Sequence, residues 1–261
     1  MVIPHAVIPH AVIPHAVIPL GDSNPTKIRP WVNWLLIALN LGVFLFAQPW
    51  DQDACTQDRF FVRHATIPVE VMQGEPLGPA DVAVLSDAQC AVPATPDKPV
   101  YLAVVFSLFF HAGWLHLLGN LLYLWIFGNN IEDRLGHARY LLFYLVAGFV
   151  ATAAFVLPNA DEIATLVGAS GAIAGVLGAY LILFPHARVT VTVPFLLFFI
   201  VRLPAFLVLG MWFLLQLAGL QSPVSDDGGG IAYLAHAGGF AFGVLIAMFS
   251  RFAPRRRSAS A

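Results

Sequence analysis

Long apolar runs separated by polar segments make up most of this chain from residue 31 onward. Six of them, each about 16 to 20 residues long, predict helices that cross a bilayer. They cover 31–47, 113–131, 140–157, 169–184, 204–220 and 231–249. A further run, 101–110, is too short to span and indicates an interfacial or re-entrant piece. The pattern predicts an all-α, polytopic membrane protein with a six-helix bundle.

The polar segments divide the chain into three parts. Residues 1–29 form a tail, 30–252 the membrane domain and 253–261 a second tail rich in arginine. Within the membrane domain, residues 50–112 form a large loop between the first two spans, and its part 50–98 is strongly acidic. Both cysteines of the chain, Cys55 and Cys90, lie in this loop. They could form a disulfide in an oxidising compartment, although the spacing alone does not show that they meet.

The N-terminal tail repeats the pentapeptide Val-Ile-Pro-His-Ala three times and begins a fourth copy. A proline in every five residues prevents a helix and favours extended backbone. The repeat also places His5, His10 and His15 at even spacing. Three lone imidazoles on a flexible tail make a poor metal site, so no metal is predicted there.

Composition agrees with the apolar pattern, since 59% of the residues are hydrophobic and only 11% are charged. The net charge of −2 includes no basic patch on a folded stretch, so nucleic acid is not an expected partner. Ten of the 13 lysines and arginines fall in the tails and in the connections between spans two and three and between spans four and five. The positive-inside rule then predicts that both termini are cytoplasmic.

Ionisable groups inside the six runs are few and share one depth. No Asp, Glu or Lys occurs in any of them, and His116 and His236 both fall near the outer ends of their spans. Ser170 lies at the outer start of span four, at the same depth. Asn120 follows His116 by one helical turn, on the same face. Such residues either tie helices together by hydrogen bonds or form a functional site.

The surroundings of Ser170 also allow two interpretations. Gly171 and Gly175 give span four a small-residue face, against which a serine often serves only packing. Gly239 and Gly243 repeat that spacing on span six, so the two helices can approach closely enough for a hydrogen bond between serine and histidine.

The second interpretation defines a catalytic site of the serine hydrolase type. His236 would accept the proton of Ser170 as general base and return it to the leaving amine. Asn120, with His116 and the Ser170 backbone N–H, would stabilise the oxyanion. Because no span contains a carboxylate, the pair is a dyad, and a third group would have to come from a loop.

Other membrane proteases need groups that are absent from these spans. A two-aspartate mechanism lacks its aspartates, and no His is followed by Glu as a zinc HExxH site requires. His111 and His116 are five residues apart and share a helical face poorly, so they do not predict a metal pair. The sequence therefore predicts no metal and no cofactor.

At these residues the chain resembles the rhomboid family of intramembrane serine proteases, in its bacterial type. The resemblance extends over about residues 18–250 and includes four ordered motifs. They are His111-Ala-Gly-Trp-Leu-His116-Leu-Leu-Gly-Asn120, Glu132-Asp133-Arg134-Leu135-Gly136, Gly168-Ala169-Ser170-Gly171 and Ala235-His236-Ala237-Gly238-Gly239-Phe240.

The resemblance implies Ser170 as nucleophile, His236 as base, and His116 and Asn120 in the oxyanion region. It implies structural roles for Glu132 and Arg134, a first loop lying partly in the membrane, and substrates that are single transmembrane helices. It further implies a multi-pass protein of a bacterial cytoplasmic membrane whose active site opens to the external, periplasmic side.

One departure from the family pattern concerns the residue one turn after the serine. Many members have an aromatic ring there, which stacks on the histidine, whereas this chain has Ala174. The orientation of His236 is then left to other groups. The alternative function is a catalytically weak or silent relative that binds client transmembrane helices, and the retention of both Ser170 and His236 favours the protease.

Overall fold

We describe a computed structural model of the chain, which covers residues 18–86, 88–192, 200–220 and 232–251. The fold is mostly helical, as predicted. Eleven helices are present in these ranges: α1 Trp31–Phe46, α2 Ala54–His64, α3 Pro68–Gln73, α4 Pro79–Val84, α5 Val100–Ser107, α6 Trp114–Tyr123, α7 Asn129–Leu135, α8 His137–Val156, α9 Ser170–Leu183, α10 Ala205–Gly219 and α11 Tyr233–Arg251. Most of the pentapeptide repeat, the loop 221–230 and the tail 253–261 lie outside the described residues.

The predicted apolar runs correspond to α1, α6–α7, α8, α9, α10 and α11. Within the described part of the chain, one helix is long and apolar enough to cross a membrane by itself, namely α8. Four other apolar helices are shorter, between 10 and 17 residues each: Trp31–Phe46, Ser170–Leu183, Ala205–Gly219 and Tyr233–Phe249. The run 101–110 forms only the eight-residue helix α5.

The second apolar run is one continuous helical path from α6 to α7 with a π-helical turn, Leu124–Gly128, in between. Asn33 of α1 donates from its side-chain amide to the Leu124 carbonyl at 3.0 Å, and its own side-chain oxygen accepts from Tyr140 at 2.7 Å. A Cβ at Gly128 would lie 2.1 Å from that Asn33 oxygen. The turn thus brings α1, α6 and α8 together around a satisfied polar contact.

A three-stranded antiparallel sheet corrects the all-α prediction. Its order is β1 (Ile18–Asp22), β2 (Arg188–Thr192) and β3 (Ile200–Pro204). Asp22 at the end of β1 accepts hydrogen bonds from Tyr180 of α9 and, at 3.0 Å, from Asn130 of α7. Burial raises the pKa of the Asp22 carboxyl, and these two donors oppose the rise. Through Asp22, the end of the N-terminal tail is fastened to α9, the helix that begins with Ser170.

The acidic segment 50–98 is folded and has a small apolar core of its own, which includes Val62, Ile67 and Val82. Cys55 and Cys90 are joined by a disulfide, with their Cα atoms 5.3 Å apart. This settles the pairing that the sequence left open.

A buried ion pair lies in the same segment. Lys98 Nζ is 2.5 Å from a Glu70 carboxylate oxygen, and both side chains are almost wholly buried. Lys98 also donates to the Val62 carbonyl at 2.7 Å. Burial lowers the pKa of Lys98, and the hydrogen bond and charge of Glu70 act against that shift. The pair holds the end of the segment against α2 and α3.

The acidic side chains of the Glu-Asp-Arg motif, in α7, contact the backbone at and just before the start of α1. Glu132 is fully buried, and its two carboxylate oxygens accept from the backbone N–H groups of Val32 at 3.0 Å and Asn33 at 2.7 Å. Asp133 accepts from Lys27 and Ile28 in the same way, at 2.8 and 2.9 Å. A carboxylate at a helix N-terminus satisfies free N–H groups and the positive end of the dipole. Glu132 therefore has the structural contacts expected of it.

The core of the bundle is α9, of which ten consecutive residues, Gly171–Tyr180, are buried. It packs on α11 through glycines, as their spacing predicts. A Cβ at Gly239 would lie 2.1 Å from the Gly171 carbonyl oxygen, and one at Gly243 only 1.9 Å from that of Gly175. So little room for a side chain remains only where the backbones of two helices are in contact.

Candidate active site

The close approach of α9 and α11 brings Ser170 and His236 into contact. Ser170 is the first residue of α9, and His236 lies in the first turn of α11. Their Oγ and Nε2 atoms are 2.7 Å apart, within hydrogen-bonding distance. Both side chains are half-buried at the same end of the bundle. The structure thus joins the two residues that the sequence selected as nucleophile and base.

The backbone before Ser170 is shaped by a glycine. Gly168 has φ +126°, a conformation that residues with a Cβ rarely adopt, and its N–H donates to the Ser107 carbonyl at 2.8 Å. Ser107 also accepts, through its hydroxyl, from the backbone N–H of Thr66 at 2.6 Å. The turn therefore ends in a helix whose first N–H groups have no partner within α9. Such groups can stabilise a negative oxygen formed next to Ser170.

The two predicted oxyanion residues lie on α6. A Cβ at Gly168 would lie 2.8 Å from Cε1 of His116 and 3.6 Å from Oγ of Ser170, so the imidazole and the hydroxyl border the same small space. Asn120 is buried, and its side-chain Nδ2 has no hydrogen-bond partner among the described residues. A buried amide donor without a partner is uncommon and needs an explanation. A developing oxyanion would supply one.

Helix α10 contributes two residues that the sequence interpretation missed. The side-chain oxygen Oε1 of Gln216 is 2.8 Å from Nδ1 of His236. The ring of Trp212, one turn earlier, lies beside the imidazole with ring centroids 5.8 Å apart. The sequence interpretation expected any third group to come from a loop, whereas the side chain that contacts Nδ1 of His236 is an amide on helix α10. A search of the apolar runs for amides as well as for ionisable groups would have found Gln216.

The same contacts answer the question raised by Ala174. That residue is fully buried in α9, and its methyl group provides no aromatic ring beside His236. In this chain an aromatic ring reaches the imidazole from α10 instead, as Trp212.

The arrangement has the groups needed for nucleophilic acyl transfer. It offers a hydroxyl, a base that touches it, a group that orients the base, and free donors nearby. Among the described residues no group of three or more His, Cys, Asp or Glu side chains could hold a metal ion.

Comparison with known proteins assigns the fold to a class. The family model described as the Rhomboid domain matches residues 99–251, more than half of the chain and all four elements that carry the site. The chain therefore belongs to the rhomboid family, whose members are embedded in membranes.

Similar proteins occur in a yeast and in a plant. One is Rhomboid protein 1, mitochondrial, of Saccharomyces cerevisiae, 33% identical over 151 residues, which are 55% of this chain and 40% of the yeast protein. Another is RHOMBOID-like protein 1 of Arabidopsis thaliana, 29% identical over 157 residues, which are 58% of this chain and 39% of the plant protein. The chain thus matches about two fifths of the length of these relatives.

Proposed function

We propose that this chain is an intramembrane serine endopeptidase that cleaves transmembrane segments of other membrane proteins. The observation that carries the proposal is the 2.7 Å contact between Ser170 Oγ and His236 Nε2 inside an apolar helical bundle. Membership of a family that contains intramembrane serine proteases supports it. A serine that served packing alone would not need a basic nitrogen as its partner.

The proposed reaction begins when Ser170 Oγ attacks the scissile carbonyl carbon and His236 Nε2 takes the hydroxyl proton. The tetrahedral oxyanion accepts hydrogen bonds from Asn120 Nδ2, from the Ser170 backbone N–H and from the His116 ring. His236 then gives its proton to the leaving amine, and an acyl-enzyme ester remains on Ser170. Water, deprotonated by His236, hydrolyses the ester and restores the hydroxyl.

We further propose a topology of six spans with cytoplasmic termini and a site that opens to the external side, where segment 50–98 lies. Exposed leucines on several helices support a lipid contact, among them Leu35 at 61% and Leu214 at 65% exposure. The tryptophans support a membrane–water interface at each end of α1, because Trp side chains are enriched at such interfaces. Trp31 lies half-exposed at one end of α1, and Trp50 packs on Trp114 at the other. A C-terminal green fluorescent protein fusion should fluoresce, and a C-terminal alkaline phosphatase fusion should stay inactive.

The proposed location is a bacterial cytoplasmic membrane. The yeast relative is named as a mitochondrial protein, so likeness alone does not choose the compartment. Detection of the protein in the inner-membrane fraction of the cells that encode it would support this location, and its recovery from another membrane would refute it.

The proposed substrates are proteins with one transmembrane helix. A site at the end of a membrane helix bundle meets a peptide bond only if the substrate enters from the bilayer or its surface, so a helix that unwinds near the external face is the expected partner.

The test is cleavage of a generic single-span fluorescent substrate by the purified full chain in liposomes. The parent protein should cleave, and Ser170→Ala and His236→Ala should lose activity by at least about 10³-fold. Ser23→Ala and His186→Ala, at exposed positions away from the site, are the matched controls and should cleave normally. Undiminished cleavage by Ser170→Ala would refute the site. Binding of the substrate by the parent without any cleavage would instead favour a silent client-binding relative.

A further inference from the structure

Gln216 is the one hydrogen-bonding amide in α10, whose other residues, except for the Trp212 indole N–H, carry no polar side-chain atom. A side-chain amide placed among apolar residues costs free energy unless it is hydrogen-bonded. Its oxygen meets Nδ1 of His236 at 2.8 Å, while Nε2 of the same ring meets Ser170 at 2.7 Å. The imidazole is therefore held at both nitrogens by two different helices.

These two contacts favour one position for the imidazole proton. Oε1 of an amide carries no hydrogen and can only accept, so a 2.8 Å contact with it requires a proton on Nδ1. In the neutral ring the proton is then absent from Nε2, whose lone pair faces the Ser170 hydroxyl. This is the tautomer that a general base needs. The opposite tautomer would point an N–H at the hydroxyl and could not take its proton.

Trp212 adds a second constraint on the same ring. It lies one turn before Gln216 on α10, and its indole is inclined by 38° to the imidazole. It also contacts Phe240, the residue one turn after His236 on α11. Because α9 has Ala174 and no aromatic residue one turn after Ser170, the aromatic ring that restrains the imidazole plane comes from α10.

We propose that Gln216 is a positioning residue for His236 and that the working unit is Ser170–His236–Gln216 rather than a dyad. The inference rests on the proposed function for its catalytic meaning. An amide in this position fixes the tautomer, as a carboxylate would, but adds no charge to a site inside an apolar bundle, where an isolated charge is costly.

The first test measures the tautomer directly and does not depend on activity. The full-length protein, labelled with ¹⁵N-histidine in micelles, gives two-bond ¹H–¹⁵N correlations that separate Nδ1–H from Nε2–H rings, and His236→Asn identifies the signal. The parent should show His236 protonated at Nδ1, and Gln216→Met should lose that preference. An unchanged Nδ1–H signal in Gln216→Met, or an Nε2–H ring in the parent, would overturn the proposal.

The second test uses the substrate assay. Gln216→Met keeps the length of the side chain but loses the acceptor, and should lower kcat at least about tenfold with KM within about twofold. Leu214→Met, at an exposed position of the same helix, is the matched control and should behave as the parent.

Gln216→Glu separates positioning from packing. It restores an acceptor, so kcat should recover relative to Gln216→Met. Because a carboxylate stabilises the imidazolium, the acidic limb of the kcat/KM profile should move to higher pH by about one unit or more. His116 of α6 is a titratable neighbour whose ring borders the same small space as Ser170, so the profile is also recorded in Gln216→Glu/His116→Gln. Equal loss in the Met and Glu variants with no shift would refute positioning.

The two proposals fail in different ways. If Ser170→Ala cleaves as well as the parent, the proposed protease site is wrong, but the NMR result still decides whether Gln216 holds the tautomer. If Ser170→Ala is inactive and Gln216→Met is fully active, the protease site stands and Gln216 has no positioning role.

Discussion

The contact between α9 and α11 leads to the sharpest prediction, because packing and chemistry depend on the same helix pair. In Gly243→Ala the new Cβ would lie 1.9 Å from the Gly175 carbonyl oxygen, 2.7 Å from its carbonyl carbon and 2.9 Å from its Cα. All three are backbone atoms, which cannot rotate away. Ordinary contact begins near 3.4 Å, so the helices must separate locally by about 1.5 Å.

The effect on the site follows from geometry. Gly243 lies seven residues after His236, about 10 Å along α11. If half of the separation reaches His236, the distance between its Nε2 and Ser170 Oγ rises from 2.7 Å to about 3.4 Å, where the hydrogen bond is nearly lost. We expect kcat/KM to fall about 100-fold and the free energy of unfolding to fall by about 1–3 kcal/mol.

The assay compares substrate cleavage and thermal unfolding in one detergent for Gly243→Ala and Gly210→Ala. An ideal Cβ at Gly210 of α10 has nothing within 4 Å, so this control makes the same chemical change in open space. Its stability should stay unchanged or rise, since alanine favours a helix by up to about 1 kcal/mol over glycine. If the two variants have the same Tm and the same activity, backbone contact between α9 and α11 does not hold the site together.

Three further predictions concern segment 50–98. Cys55 and Cys90 are 35 residues apart, so replacing both by Ser should destabilise the segment by about 3–4 kcal/mol in a chain-entropy model. Reductant should lower the Tm of the parent but not of this double variant. Lys98→Met should lower the free energy of unfolding by about 3–5 kcal/mol, because Glu70 is left buried without its charge partner. Lys98→Met/Glu70→Gln should recover part of that loss in the same melts, and no recovery would contradict the pairing. Burial, with a smaller effect of nearby positive charges, lowers the pKa of His64. The unfolded chain therefore binds more protons than the folded one below about pH 6.5, and stability should fall as the pH drops from 7 through the folded pKa. Protease cleavage of the segment should accelerate over that range, and less so in His64→Gln.

The helices and the Ser–His pair were predictable because their signals are local. The length of an apolar run can be read from consecutive residues. Small residues spaced by four, such as Gly239 and Gly243, mark the face along which a helix packs. Once that face was known, the contact between Ser170 and His236 followed from shared depth, and the structure has it at 2.7 Å.

The sheet and the folded acidic segment were missed because their partners are distant in sequence. The strand Arg188–Thr192 does alternate apolar and polar residues, a usable strand signal, but it pairs with Ile18–Asp22 at the other end of the chain. In segment 50–98 the disulfide and the pair between Lys98 and Glu70 also join residues that are far apart in sequence. No periodicity in the sequence encodes such pairings.

Gln216 was missed for a different reason, and the reason generalises. Charge was the signal that marked residues in the spans, whereas the cost of burying a polar group in an apolar helix applies equally to an uncharged amide. A glutamine that is the one amide of such a helix must find a partner inside the protein, and the groups able to offer one at its depth are few. The group that Gln216 meets is the imidazole of His236, so the proposed third member is constrained by the same physics as Ser170 and His236.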